Sequence, residues 1–184
     1  ILGASDTLLA QEYSEETRQK LYTEINTASI RLNRLIENLL NMSRLESGLI
    51  TPHPLWCDIH DLVNSVVEIL KNELAPFQLS VVIPDTMPLV NIDFGLMEQV
   101  LHNLLLNATQ HSDKGSHIRI KIFIDNGFLV IMVMDRGTGF SPSDIPSVFN
   151  KFYRGKEAKA GGTGLGLSIV KGFIEAHGGT VVLE

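Results

Sequence analysis

A seven-residue repeat of apolar side chains in the first third of the chain constrains its fold most strongly. The apolar residues return at alternating spacings of four and three, which is the pattern of a helical-bundle seam. They are Leu21, Ile25, Ala28, Leu32, Leu35, Leu39 and Met42. Roughly 30 residues of such helix would extend about 45 Å, too far for a short partner to cover. The pattern therefore predicts antiparallel and intermolecular neighbours, in a dimeric four-helix bundle.

The ends of this predicted helix carry residues that start and stop helices. Ser14 is placed to cap it ahead of Glu15 and Glu16, whose charges suit a helix N-terminus. Gly48 is a C-terminal stop. Residues 1–10 read as the end of an earlier helix, so the two segments together would form a helical hairpin.

Two prolines mark the end of this hairpin. Within Thr51-Pro-His-Pro54 they cannot continue a helix, and the periodicity changes beyond them. We therefore predict three parts: residues 1–50 as a partial helical hairpin, 51–57 as a linker and 58–184 as a second domain.

The second domain alternates helices with short strands. The predicted elements are a helix from Asp58 to about Leu74, a strand at 78–83, a helix that Asp93 caps, strands at 116–124 and 128–134 around the turn Asp125-Asn-Gly127, a helix at 164–177 and a strand at 180–183. This order predicts an α+β fold in which a two-layer α/β sandwich follows the hairpin. Trp56 and Cys57 are expected to pack where the two parts meet.

Composition excludes several classes of function. A formal charge of −6 argues against a general nucleic-acid or anionic-membrane binder, because such surfaces need an excess of Lys and Arg. The single cysteine, Cys57, excludes an internal disulfide and fits a reducing compartment. We find no signal peptide, and no apolar run approaches the roughly 20 residues that cross a bilayer.

Two asparagines on the helix after Asp93 form the first of three sequence blocks that point to a ligand. Residues four apart share a helix face, so Asn103 and Asn107 would present their amide oxygens to one site. Such hard oxygen ligands suit Mg²⁺ held against phosphates. A polar, solvated helix face is the alternative, but the leucines around both amides favour a buried site.

The other two blocks are rich in glycine. Asp135 follows an apolar strand and offers a carboxylate that can accept a hydrogen bond from an adenine amino group, although it could also simply end the strand. Gly137 and Gly139 would allow the backbone close to the base. Residues 162–167 lead into an apolar helix whose first amides can hold phosphate. The three blocks together predict a pocket for Mg²⁺-ATP.

In their order and in their residues, these blocks resemble the motifs of the ATP-binding domain of sensor histidine kinases. That family belongs to the superfamily that also contains the gyrase, Hsp90-type chaperone and MutL ATPases. Residues 149–155 resemble the family's phenylalanine box, and His177-Gly-Gly179 resembles the turn after its last helix. Residues 34–48 resemble the second helix of its dimerisation and phosphotransfer domain. With the Trp56 segment, they are most similar to Kdp-type kinases, which respond to potassium and osmotic stress.

The resemblance implies a role for each matching residue. Residues 58–184 would be the catalytic domain, three helices on one mixed sheet, trimmed at its C-terminal end. Asn107 would hold Mg²⁺, Asp135 would bind adenine and Asn103 would contact phosphate. The further nucleotide-binding residues it implies are Gly137, Gly139, Phe149, Lys151, Phe152, Gly162, Thr163, Gly164, Leu165, Gly166, Leu167 and His111.

The segment between Phe140 and Thr163 combines prolines, glycines and basic residues, and we interpret it as a mobile lid over the nucleotide. An ordinary solvated loop is the alternative. Arg154 is the cation best placed in the sequence to neutralise charge on the γ-phosphate. Lys156 and Lys159 are expected to be plain surface charges.

Two positions separate this chain from relatives. Where the family commonly has Lys and Tyr after its metal-binding asparagine, this chain has Gln110 and His111, so one phosphate cation is lost. Where the hydrolysing members of the superfamily carry a Glu general base, this chain has Asn103. Because an amide cannot activate water as a base, phosphoryl transfer to a protein side chain fits better than hydrolysis.

The family's acceptor histidine, in a His-Asp/Glu-Leu-Arg-x-Pro context, has no match here. His60 begins a similar run but lacks the Arg and Pro. Ile1-Leu-Gly3 resembles a stretch that follows the acceptor in relatives, so we expect the acceptor upstream. The spacings of His53, His102, His117 and His177 suit no zinc site.

We therefore interpret the chain as the cytoplasmic catalytic fragment of a membrane-linked sensor kinase, pairing as a homodimer and passing phosphate to a response regulator. A gyrase-like or chaperone-like ATP hydrolase is one alternative. A pseudokinase scaffold that pairs through residues 16–47 without binding ATP is another, and Gln110 slightly favours it.

Overall fold

The computed structural model describes residues 14–155 and 163–183, and the helix predicted at residues 1–10 lies outside them. The chain divides into two compact units, residues 1–43 and 44–184. The proposed linker at 51–57 therefore lies inside the second unit. In the described ranges no helix is both long and apolar enough to span a membrane.

Helix α1 (Glu15–Glu46) confirms the long helix read from the seven-residue repeat. The Ser14 hydroxyl accepts a hydrogen bond from the Thr17 amide at 3.4 Å, as expected of a cap. At the other end Gly48 takes a left-handed conformation, φ +65°, which glycine adopts without strain. Large apolar side chains stay exposed along the helix: Tyr22, Ile30, Leu32, Leu35, Ile36, Leu39 and Leu40.

Two helices stand where one was predicted from Asp58 to Leu74. Helix α2 (Ile59–Ile69) starts at Asp58, whose carboxylate accepts the His60 amide at 2.8 Å. At Leu70 the backbone leaves the helical region, with φ −97° and ψ 15°, and helix α3 (Lys71–Leu74) follows. The prediction of one continuous helix is wrong because the chain bends at Leu70 while keeping Leu70 and Leu74 buried.

A three-stranded mixed sheet carries the site-bearing segments. Strand β2 (Gln78–Val82) runs parallel to β4 (His117–Asp125), and β5 (Phe128–Met134) runs antiparallel to β4. Along β4, Ile118, Ile120 and Ile122 are buried and the residues between them are exposed, as the two-residue strand period requires. The predicted hairpin turn is confirmed, with positive φ at Asn126 and Gly127.

A second, two-stranded sheet was not predicted. Strand β1 (Leu55–Cys57) pairs antiparallel with β3 (Val90–Ile92), so that Trp56 lies opposite Asn91. Trp56 is 70% exposed, and its packing at the junction of the two parts stays a prediction. Its strand turns the side chain to the open face, while Cys57 on the other face is half-buried.

Helices α4 (Phe94–His111) and α5 (Gly166–Ala176) complete the fold. Their buried side chains, with those of α2 and β4, form the core of the predicted two-layer α/β sandwich, which is confirmed. The strand predicted at 180–183 is not observed, since these residues pair with neither sheet. β-branched residues favour extended backbone there, but a strand also requires a partner edge.

Candidate functional site

Helix α4 places both predicted asparagines on one face. Asp93 caps the helix by accepting the Leu96 amide at 3.1 Å, and this fixes where the helical period begins. Asn103 and Asn107 are half-buried, whereas Leu101, Leu105 and Ala108 on neighbouring faces are fully buried. The amides therefore project from the edge of the core, where a ligand can reach them.

Asn103 lies against the start of helix α5. A Cβ added to Gly166 would meet the Asn103 side-chain oxygen at 3.5 Å. The first amides of a helix have no partners within it and favour negative charge. The structure thus brings the first sequence block and the third together, as the prediction of a phosphate site requires.

Asp135 is an exposed residue directly after strand β5, and one of its oxygens is already hydrogen-bonded. The Gly137 amide donates to Oδ1 at 2.7 Å, and the Ser112 hydroxyl donates to the same oxygen at 3.3 Å. These bonds fix the plane of the carboxylate and turn Oδ2 away from them. Oδ2 can then accept a hydrogen bond from an amino group of a ligand.

Ser112 was not predicted from the sequence to belong to the site. It follows α4 and reads as an ordinary residue at a helix end, yet it is 3% exposed and contacts a carboxylate 23 residues away. A small hydroxyl residue just past a helix has many local uses. The sequence carries no signal that would connect it to Asp135.

Gly137 is required by close packing. A Cβ at this position would lie 2.5 Å from the backbone carbonyl oxygen of His111 and 2.8 Å from Oδ1 of Asp135. The end of helix α4 and the second block are therefore in direct contact. Gly139 takes φ +66°, which again suits glycine. The His111 backbone contacts Gly137, and a nucleotide-binding role for the His111 ring stays a prediction.

Gly164 joins the third block to the phenylalanine box. Its φ is +69°, and a Cβ there would lie 2.7 Å from the backbone of both Phe152 and Tyr153. Phe152 has φ +60°, which is strained for an aromatic residue by about 1–2 kcal/mol. Its side chain is 65% exposed, and that of Phe149 is half-buried.

The residues at the start of helix α5 either hydrogen-bond to the backbone or pack in the core. The Thr163 hydroxyl accepts the Leu165 amide at 3.2 Å. Leu165 is buried and Leu167 half-buried, so Leu165 would shape the site by packing. Gly162, also predicted to contact nucleotide, lies outside the described residues, as do Lys156 and Lys159.

The two predicted cations of the lid are both exposed. The Lys151 ammonium forms an ion pair with the Glu46 carboxylate at the end of helix α1. Arg154 lies near the end of the first described range. The adjacent Tyr153 has a raised pKa because its hydroxyl is desolvated and donates to Asp144. Nucleotide contacts of Lys151 and Arg154 stay predictions.

The donor set fits a magnesium ion carried by a nucleotide. Among residues 14–155 and 163–183, no group of three His, Cys, Asp or Glu side chains is placed to hold a metal. Asn107 offers a neutral amide oxygen, and Mg²⁺ commonly takes one or two protein ligands with the rest from phosphates and water. The site therefore suits a metal that arrives with phosphates.

The sequence profile of a family described as "Histidine kinase-, DNA gyrase B-, and HSP90-like ATPase" matches residues 93–184. The Sensor protein KdpD of Escherichia coli is 35% identical over 175 residues, which cover 94% of this chain and 19% of that protein. The chain thus spans about a fifth of the length of this curated relative.

Two solved structures share the fold. The histidine kinase AdeS of Acinetobacter baumannii superposes with a TM-score of 0.71 at 23% identity, covering 95% of this chain and 81% of that one. Full-length ShkA, solved in complex with AMPPNP, superposes with a TM-score of 0.73 at 23% identity, covering 91% of this chain and 35% of that one.

Proposed function

Since this chain belongs to the histidine kinase-, DNA gyrase B- and HSP90-like ATPase family, and within it to the sensor histidine kinases, we propose that it binds Mg²⁺-ATP and donates the γ-phosphoryl group to a histidine. The acceptor belongs to the parent protein and is none of the six histidines of this chain. The phosphoryl group then passes to an aspartate of a response regulator.

One observation carries the proposal most directly. The Asn103 amide oxygen lies against Gly166 at the first turn of helix α5, so a side-chain amide and the backbone amides that begin the helix converge on one point. Such a point can hold a phosphate. Asn107, one turn further along α4, would place its amide oxygen beside that phosphate.

Each end of the nucleotide has a proposed partner. Oδ2 of Asp135 accepts from the adenine amino group, with Oδ1 held by Gly137 and Ser112. Asn107 would hold Mg²⁺, which when bound draws charge from the phosphate oxygens. Arg154 supplies further positive charge to the γ-phosphate once the lid covers the site. Positioning and charge neutralisation together provide most of the catalysis of phosphoryl transfer.

Transfer to a side chain fits the site better than hydrolysis does. At Asn103, where hydrolysing relatives have a Glu, the neutral amide has no basic site that could take a proton from water. The γ-phosphoryl group is therefore retained until an acceptor nucleophile is in line.

Helix α1 supports the dimer part of the proposal. Leu32, Leu35 and Leu39 of the seam are exposed, and Ile36 and Leu40 extend the same apolar surface. An apolar stripe of this length marks an interaction surface. We propose that two copies pair through it, with the parent protein anchored in a membrane and this part in the cytoplasm. A response to potassium rests on the similarity to KdpD.

Labelling with γ-³²P-ATP tests the transfer. We expect residues 1–184 to bind ATP, release little phosphate and acquire no label. The parent protein should acquire an acid-labile, base-stable label. Rapid phosphate release by the parent would indicate a hydrolase, and absence of ATP binding in calorimetry would indicate a scaffold. Label on this chain that disappears in His60→Gln would place the acceptor at His60 and contradict the proposal.

A further inference from the structure

His177 closes the last helix with its side chain as well as its backbone. Ring atom Nδ1 lies 2.7 Å from the Phe173 carbonyl oxygen, one helical turn earlier. A carbonyl oxygen accepts hydrogen bonds and cannot donate them, so the proton must be on Nδ1. Gly178 then leaves the helix with φ +75°.

The other ring nitrogen of His177 contacts a different helix. Nε2 accepts a hydrogen bond from the backbone amide of Asp93 at 3.1 Å, across 84 residues of sequence. Accepting at Nε2 and donating at Nδ1 defines the neutral Nδ1–H tautomer. A proton on Nε2 would make this atom a donor facing the Asp93 N–H, which is also a donor, and the hydrogen bond between them would be lost.

Asp93 is a junction of several contacts. Its Oδ1 caps helix α4 at Leu96, and its Oδ2 accepts the His53 amide at 2.9 Å. Burial acts to raise the pKa of the Asp93 carboxyl, but the hydrogen bonds from these backbone amides stabilise the carboxylate, and the pKa is lowered. The partner of His177 is thus a firmly held backbone position.

The two ends of helix α5 therefore meet helix α4 at two defined points. Gly166 at its start lies against Asn103, and His177 at its end bonds to Asp93. Asn103 lies about 15 Å along α4 from Asp93, close to the length of α5 itself. The helices run antiparallel, and these contacts fix their relative position along the axis.

We infer that His177 is a positioning residue of the nucleotide site: its neutral ring bridges Asp93 and Phe173, which sets the axial register that places the first turn of α5 beside Asn103. A slide of one residue would move that turn by about 1.5 Å, enough to misplace a phosphate held between the helices. This inference rests on the proposed function.

A role as a helix cap alone is the competing explanation, and two substitutions separate the two. His177→Asn keeps an amide donor near the position of Nδ1, so it can serve Phe173 but does not reach Asp93. His177→Gln places its amide oxygen near the position of Nε2, so it can accept from Asp93. The inter-helix bond is lost in the first variant and kept in the second.

Calorimetric titration with Mg²⁺-ATP provides the test. We expect His177→Asn to weaken ATP binding about fivefold to tenfold and His177→Gln to stay within about twofold of the wild type. In a double-mutant cycle, His177→Asn should cost much less when Asn103 is already Ala, because the register acts through that contact. Equal binding by wild type and His177→Asn would overturn the inference.

The protonation state of the His177 ring can be measured directly in the wild-type protein. Long-range ¹H–¹⁵N spectra of the wild-type imidazole at neutral pH should show the proton on Nδ1, and an Nε2–H tautomer would overturn the inference. Failure of the proposed function looks different, since the wild type would then bind no ATP at all.

Discussion

At the scale of single residues, the proposed adenine contact depends on how the Asp135 carboxylate is held. Asp135 is exposed and would rotate freely if it stood alone. The Gly137 amide and the Ser112 hydroxyl both bind Oδ1, so the orientation of Oδ2 is set before a nucleotide arrives. Preorganisation of this kind lowers the entropy lost on binding.

Removing the Ser112 hydroxyl should loosen this carboxylate. We expect Ser112→Ala to weaken ATP binding about threefold to tenfold in calorimetry, because one of the two donors to Oδ1 is lost. Thr109→Ala is the matched control, since the Thr109 hydroxyl donates to the Leu106 carbonyl of its own helix and should leave ATP affinity unchanged.

Asp135→Asn should give the largest loss of ATP affinity that can result from disturbing this carboxylate. Its amide nitrogen would face the adenine amino group, so binding should fall further than in Ser112→Ala while thermal stability changes little. If Ser112→Ala and Thr109→Ala bind ATP alike, Ser112 has no part in the site.

Sequence reasoning at this scale can propose site residues where chemistry is local. Asn103, Asn107 and Asp135 stand out because amides and a carboxylate occur at fixed spacings among apolar residues. Ser112 and the His177 bridge could not be found this way. Their partners lie 23 and 84 residues away, and a serine or histidine at a helix end has several ordinary local roles.

At the scale of helices and strands, length and periodicity decided what could be predicted. Helix α1 was predicted almost to the residue because its seam repeats many times. Strands β1 and β3 contain three residues each, too few to show an alternating pattern. The bend at Leu70 and the unpaired residues 180–183 depend on tertiary neighbours, which a local pattern does not contain.

Helix α1 makes a prediction about assembly. Leu32→Glu should shift the chain from dimer to monomer in sedimentation, because a carboxylate buried in an apolar interface costs several kcal/mol. Leu32 is 48% exposed in the single chain, so the charge should not disturb the helix itself. Thr27→Glu adds the same charge at an exposed position outside the seam and should remain dimeric.

A wild-type chain that sediments as a monomer would contradict the dimer for residues 1–184. Equal dissociation in Leu32→Glu and Thr27→Glu would instead show that the seam is not the interface.

At the scale of the whole molecule, the fold brings three sequence blocks spread over 65 residues close together. Contacts of Asn103 with Gly166 and of Gly137 with the His111 backbone join helix α4 to the other two blocks, and the contact of Gly164 with Phe152 joins the third block to the phenylalanine box. The sequence indicated that these blocks belong together, through their order and their resemblance to sensor histidine kinases. The close glycine contacts that assemble them could be read only from the fold, since each depends on backbone segments far apart in the chain.

The most direct test of the account is a calorimetric titration of Mg²⁺-ATP into the wild type and Asn107→Ala. The wild type should bind ATP, and removal of Mg²⁺ by a chelator should weaken that binding strongly. Asn107→Ala should lose at least about a hundredfold in affinity, because the metal-bridged phosphates lose their protein ligand, while its thermal unfolding stays close to that of the wild type.

Thr109→Ala, which removes a hydroxyl that donates to the Leu106 carbonyl of the same helix, should bind ATP like the wild type. Equal ATP affinity in the wild type and Asn107→Ala, or binding that is indifferent to Mg²⁺, would contradict the central claim that this fold holds a magnesium nucleotide through helix α4.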